Sequence, residues 1–304
     1  MTPLERTPSY CRLAADGRMD ARVEAAYARL EACDLCPRAC GIDRTRGRTG
    51  RCKGGLLPRV SSSGPHFGEE PPLVGRRGSG TIFFTGCPLG CAFCQNCDIS
   101  HHLGGEEVDP ADLAEMMLDL QDLGCHNINL VTPTHFVPQI LRAVALAVAR
   151  GLRLPLVYNS SGYETIATLR LLEGIVDIYM PDFKFWQGAS ALRYCEAPDY
   201  PGVAAAAVRE MHGQVGDLVV EDGLAFRGLL VRHLVMPGGG AETAAILDFL
   251  AREISPDTFV NVMDQYRPCH RAGEFPEISR RLERDEFTRA ISAAARAGLK
   301  RVCT

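Results

Sequence analysis

Short, almost wholly apolar runs of five to seven residues alternate along this chain with longer stretches whose apolar residues recur every three or four positions. The first rhythm predicts strands buried on both faces, and the second predicts amphipathic helices. Strands are expected at 81–85 (TIFFT), 127–131 (NINLV), 154–158 (LPLVY), 175–180 (IVDIYM), 229–235 (LLVRHLV) and 259–263 (FVNVM). Helices are expected at 20–31, 138–150, 163–172, 203–211, 242–252 and 285–297. One further helix starts at its cap, Asp109, with Pro110 in the first turn, and stops at Gly124. Leu113, Met116, Met117 and Leu120 fall on one face of it.

Six strands alternating with helices predict right-handed βαβ units and a parallel sheet. An open barrel and a doubly wound sheet both fit this pattern. Two stretches fall outside it. Residues 33–55 are rich in Cys, Gly and Arg and lack an apolar period, and residues 61–80 are rich in Gly, Ser and Pro and read as loop. No internal repeat or low-complexity tract is visible.

Composition changes this picture little. The 304 residues are 46% hydrophobic, enough for a large core, and the net charge of −4 gives no reason to expect nucleic acid or an acidic membrane surface as partner. Residues 1–18 contain no apolar leader, and no run approaches a membrane span, so a cytoplasmic protein is expected.

Cysteine is the exception. There are 13, an odd number, and at least seven sit in two tight groups. In a reducing compartment such grouping points to metal binding or redox chemistry rather than disulfides. Cys87-Pro-Leu-Gly-Cys91-Ala-Phe-Cys94 follows the first expected strand, where α/β folds build their sites. Spacing alone leaves an iron–sulfur cluster, zinc, or three unligated thiols open. Three ligands on a four-iron cluster would leave one iron free for a substrate or cofactor.

At these residues the chain resembles a family. CxxxCxxC after a first strand, with an aromatic at Phe93, is the signature of the radical SAM enzymes. The wider string FFTGCPLGCAFCQNCDIS is similar to the PflX-type branch, relatives of the pyruvate formate-lyase activating enzymes, as are VTPTHFVPQI, LVYNSSGYE, DIYMPDFKF and LVMPGG. The likeness spans roughly residues 33–270. It implies an α/β fold, a partial (β/α)6 TIM-like barrel (81–304) behind an N-terminal cysteine-rich extension (1–80). It implies a [4Fe-4S] cluster on Cys87, Cys91 and Cys94, with S-adenosylmethionine chelating the fourth iron. Reductive cleavage would give methionine and a 5′-deoxyadenosyl radical that abstracts hydrogen. A reductase or flavodoxin-type electron donor is implied; the leading substrate is the glycine of a glycyl-radical enzyme, with a different protein or a small molecule as the alternative.

The resemblance also suggests cofactor-binding roles for Phe93 at the adenine, Asn159 at the end of the third strand, and Asp182 and Lys184 of a DxK element at the methionine end. The plain alternatives are packing for Phe93 and an ordinary salt bridge for Asp182 or Lys184. The activating enzymes usually carry a GGE-like stretch after the second strand, where this chain reads Thr132-Pro133-Thr134-His135. Thr132 or backbone carbonyls would take over that contact. Cys97, three residues past Cys94, is expected to be a free thiol near the site.

Cys33, Cys36, Cys40 and Cys52 lie within 20 residues. Four thiolates make a closed site, for structural zinc or for a second [4Fe-4S] cluster. The CPRAC string resembles the knuckle ahead of the barrel in this branch. Cys11, Cys125, Cys195, Cys269 and Cys303 are isolated and are expected to be buried or incidental thiols. His135, His233, Gln265, Tyr266, Arg267 and His270 fall near the ends of later strands and are candidates for the substrate end, with Cys269 as a possible hydrogen donor. His101 and His102 read as a solvated loop. Two non-radical readings remain: an iron–sulfur electron-transfer protein and a zinc-ribbon interaction protein.

Overall fold

The computed structural model describes residues 7–304. Residues 1–6, part of the stretch read as lacking a leader, lie outside the described residues. Ten strands form one sheet: β1 (Arg59–His66), β2 (Ser79–Phe84), β3 (Glu106–Glu107), β4 (Ile128–Val131), β5 (Leu156–Ser160), β6 (Ile178–Pro181), β7 (Val219–Glu221), β8 (Leu224–Leu234), β9 (Phe259–Met263) and β10 (Arg301–Cys303). The helices, in chain order, are α1 (Ser9–Ala15), α2 (Met19–Ala28), α3 (Pro71–Val74), α4 (Cys97–Ser100), α5 (Pro110–Asp122), α6 (Val137–Ala149), α7 (Ile166–Leu172), α8 (Gly188–Cys195), α9 (Tyr200–Val215), α10 (Gly240–Phe249) and α11 (Arg284–Ala297).

The order of the strands settles the architecture. β2, β4, β5, β6, β8 and β9 are parallel neighbours in the order in which the chain makes them. A doubly wound sheet would reverse direction at a switch point. Here each right-handed crossover adds its strand on the same side, which curls the sheet into a partial (β/α)6 barrel. β10 extends it beyond β9, and β1 pairs antiparallel with β2 on the other side.

β1 corrects the expectation of a loop over 61–80. Its sequence, RVSSSGPH, has almost no apolar content, and most of its residues are exposed or half-buried. Backbone pairing to β2 holds it in the sheet with little side-chain burial, so hydrophobic periodicity could not reveal it.

Local signals explain the helices. Asp109 caps α5 through the N–H groups of Ala111 and Asp112, in a capping box with Asp112. Leu113, Met117 and Leu120 are buried and Met116 is half-buried. α6 buries Val137, Ile140, Leu141 and Val144, each contributing about 1.5–3 kcal/mol at most. At the far end of the sheet, α1 closes the base. The Ser9 N–H donates to Asp177 (2.8 Å) and the Tyr10 hydroxyl to the carbonyl of Leu154 (2.8 Å). No helix among the described residues is long and apolar enough to cross a membrane.

Candidate active site

The loop after β2 carries Cys87, Cys91 and Cys94 into the wall of a cavity of about 210 Å³. Other walls come from the carboxyl ends of successive parallel strands: Val131 at the end of β4 and Thr132 just after it, Asn159 in β5, Asp182 and Lys184 after β6, Arg232 in β8, and Met263 and Gln265 at β9. The sheet therefore brings every cofactor-site residue expected from the sequence, Phe93 included, to one cavity.

The three thiols are buried or half-buried. Burial pushes Cys87 up to about 12 and also raises Cys94. A hydrogen bond with the Cys195 thiol, and then burial, hold Cys91 well above the ordinary range. Left alone, these groups stay protonated at neutral pH, and a thiolate forms there when a cation stabilises it. The donor set thus suits a soft, thiolate-demanding metal group such as an iron–sulfur cluster.

The polar wall is a chain of charges. Asp182 Oδ2 meets Lys184 Nζ at 2.6 Å and its Oδ1 meets Arg232 Nε at 2.9 Å. Arg232 Nη2 donates to Asn159 Oδ1 (2.7 Å), and its Nη1 lies 3.7 Å from Glu69 Oε2. Burial by itself would raise Asp182, but the two cations outweigh it and keep the carboxylate below its usual value. Burial opposes the Lys184 ammonium, yet Asp182 more than compensates and its pKa is raised. The salt bridge that was the plain reading of Asp182 and Lys184 is therefore present, and it lines the cavity; their side chains stay 17% and 15% exposed.

Arg232 was not among the residues singled out from the sequence. The available signal was one cation inside the apolar run LLVRHLV.

Thr132 adopts φ +59, a left-handed backbone that a β-branched residue rarely takes, and its N–H donates to the Asn159 carbonyl (2.8 Å). Phe93 is buried, edge-on to Phe185 (5.9 Å) and Tyr194 (6.4 Å), so its packing role is real.

The histidines divide. His135 is buried, its Nε2 lies 2.8 Å from the Thr85 carbonyl, and burial lowers its pKa to about 3. His233 is buried between the Phe183 carbonyl (2.7 Å) and Thr243 (2.9 Å). His233 is a satisfied core residue, whereas His135 is equally buried but leaves its Nδ1 without a partner among the described residues. His101 corrects the solvated-loop expectation: it is half-buried, lines the cavity and stacks on His270 at 4.3 Å. Tyr266 is buried with its hydroxyl on the Ile278 carbonyl (2.6 Å), while Arg267 is exposed. Cys97 is not part of the cavity lining and lies beside His102 and His270 instead.

The second cysteine group forms a small closed cavity of its own, lined by Cys33, Cys36, Cys40 and Cys52 together with Arg44 and His135. Burial raises Cys36 to about 12 and also raises Cys52. Arg44 is fully buried and donates to the carbonyls of His135 (2.6 Å) and Gly55 (3.0 Å), with Nη1 3.9 Å from Cys33 Sγ. The knuckle docks on the loop of the larger cavity. A Cβ on Gly86 (φ +80) would sit 2.2 Å from the Cys52 carbonyl. Arg38 donates to the carbonyls of Pro88 (3.0 Å), Leu89 (3.1 Å), Cys195 (2.8 Å) and Glu196.

Fold and site together define an α/β partial barrel with a thiol-bearing cavity at the carboxyl ends of its strands. The chain is 32% identical over 291 residues to the uncharacterized protein MJ0674 of Methanocaldococcus jannaschii, covering 92% of this chain and 79% of that one. It belongs to the family of that archaeal protein. No protein-family model matches it. Among solved structures it is similar to native anSMEcpe with bound AdoMet (TM-score 0.49, 7% identity, 72% of this chain and 61% of that one). It is also similar to Streptococcus suis SuiB bound to precursor peptide SuiA (TM-score 0.46, 10% identity, 69% of this chain and 43% of that one). The chain thus spans about three-fifths of the first and under half of the second.

Proposed function

We propose that this protein is a radical SAM enzyme whose chemistry takes place in the cavity after β2. The observation that carries the reading is the meeting, in one cavity, of three thiols from a single CxxxCxxC loop with the Asp182–Lys184–Arg232 charge chain. Held by Cys87, Cys91 and Cys94, a [4Fe-4S] cluster would supply one-electron reductive cleavage of S-adenosylmethionine for hydrogen abstraction.

The chain's own residues bind and orient. Asp182 fixes the Lys184 ammonium, which offers a cationic partner to the carboxylate of the methionine moiety. Asn159 gives its oxygen to Arg232, and its amide nitrogen remains for the cofactor. The backbone and hydroxyl of Thr132 take the place of the activating enzymes' GGE-like stretch. Phe84, Val131, Leu234 and Met263 give the wall an apolar side that excludes water.

The sequence resemblance favours a glycine of a protein partner as hydrogen donor, with electrons from a reductase or a flavodoxin-type donor in the cytoplasm. Residues 1–80 serve as an extension whose knuckle holds zinc or a second [4Fe-4S] cluster, and 81–304 as the catalytic barrel.

The test is anaerobic reconstitution followed by dithionite and S-adenosylmethionine, with 5′-deoxyadenosine measured by chromatography. Its release supports the reading. A brown protein that releases none, beside an active control enzyme, makes this an electron-transfer protein, and a colourless zinc protein makes it a zinc-binding module.

A further inference from the structure

One other set of ligating side chains converges in the described structure. Single ligand atoms of Cys97, His102 and His270 lie within 4.8 Å of one another. Two separate segments bring them together. Cys97 opens α4, and the chain folds back on it when the His102 N–H donates to the Cys97 carbonyl (3.1 Å). His270 arrives on the loop after β9, which is fastened to the cysteine loop at two points. The Arg271 N–H donates to the Ala92 carbonyl (2.8 Å), and Gln95 Nε2 donates to the Gln265 carbonyl (3.2 Å).

His270 itself has φ +51, a left-handed conformation uncommon for a residue with a Cβ, and surrounding contacts must hold it there. Its ring stacks on His101 (4.3 Å between centroids) and lies edge-on to His102 (6.4 Å). His102 and His270 are exposed and Cys97 is half-exposed, so an ion from solution can reach all three.

We propose that Cys97, His102 and His270 form a metal site for a borderline-soft divalent cation of the zinc class, separate from both cysteine groups. One thiolate and two imidazoles are the donors such an ion prefers, whereas calcium and magnesium demand oxygen. Ligands around a tetrahedral zinc sit roughly 3.3–3.6 Å apart. Side-chain rotation of about 1 Å closes the set from its present spacing. Three protein ligands leave the fourth position for water or for an electron-pair donor on a substrate. The site adjoins the cavity, because His101, on which His270 stacks, is part of the cavity lining. A ligand held at the fourth position would therefore stand beside the larger cavity's mouth.

This site does not depend on the radical chemistry, and its test is independent of it. The reconstituted, desalted full chain is titrated anaerobically with zinc(II) against a chromophoric chelator, and zinc and iron per chain are counted by mass spectrometry. His270→Ala and His102→Ala leave all 13 cysteines in place, so any difference from wild type reads this site alone. The expected result is one fewer bound zinc in each variant, unchanged iron, and a wild-type zinc X-ray absorption spectrum that loses a one-sulfur, two-nitrogen component in the variants. Equal zinc in all three proteins overturns the proposal, and so does a wild-type spectrum without that component. Circular dichroism verifies folding, and because His102 is exposed its variant keeps the comparison valid should the His270 variant unfold.

Discussion

The two cysteine groups contain the same donor atoms and differ in what surrounds them. Cys87, Cys91 and Cys94 look into a cavity whose remaining walls come from five other parallel strands and carry a lysine, an arginine, an aspartate and an asparagine. Cys33, Cys36, Cys40 and Cys52 line a small cavity beside a fully buried Arg44, which donates mainly to backbone carbonyls and also approaches the Cys33 sulfur. The first arrangement leaves room for a second molecule and supplies groups to orient it. The second is a small cavity walled by its own segment and His135. The difference teaches that thiol groups of similar spacing can stand in very different surroundings, and that the neighbours, more than the spacing, set what each group could do.

The comparison breaks first at the cavity thiols. Cys94→Ala is expected to lower 5′-deoxyadenosine formation to that of a protein-free control while circular dichroism stays native. If it remains active, the cavity is not the site of chemistry. Arg44→Met should act the other way. It strands the His135 and Gly55 carbonyls and is expected to cost about 3 kcal/mol in urea unfolding while iron at the cavity thiols is retained. A stable but inactive Arg44 variant would move the knuckle from structure to catalysis.

A third measurement examines a buried carboxyl whose charge is felt at Cys36 of the knuckle. Glu164 is buried, accepts from Thr134 (2.6 Å) and Tyr158 (3.1 Å), and is raised by burial to about 7. The folded state therefore holds this proton more tightly than the unfolded chain. Its contribution to stability is full below pH 4.5 and is lost as pH rises through 7. That loss amounts to roughly 2–3 kcal/mol, and Glu164→Gln should flatten it in denaturation curves taken at pH 5 and pH 8. The smallest effect is expected from Lys184→Met. Arg232 still pairs with Asp182, so the fold persists, and S-adenosylmethionine should bind about tenfold more weakly, about 1.4 kcal/mol. An unchanged affinity would leave Lys184 as a salt-bridge partner only.

The six parallel strands and the thiol loop were legible because both are written in local pattern: apolar runs, capped helices and close cysteine spacing. Boundaries slipped where apolar residues served other elements. Ile175 and Val176 belong to the turn that ends α7, with both N–H groups on the Leu172 carbonyl, so β6 starts at Ile178. β1 escaped because backbone pairing, not side-chain burial, holds it in the sheet. The resemblance pointed to Asp182 and Asn159, but their shared partner Arg232 lies 50 and 73 residues further along the chain, and only the sheet order brings them together. The meeting of Cys97 with His270 was hidden for the same reason.

Arg38 lies between two knuckle cysteines, yet its guanidinium grips peptide carbonyls at Pro88 and Leu89, inside the cavity loop. The backbone of that loop is therefore held in part from residues 33–52, some 50 positions earlier in the chain. Any change that displaced Arg38 would withdraw this grip. The cavity loop would then lose part of its backbone support although each of its own sulfur atoms remained chemically untouched.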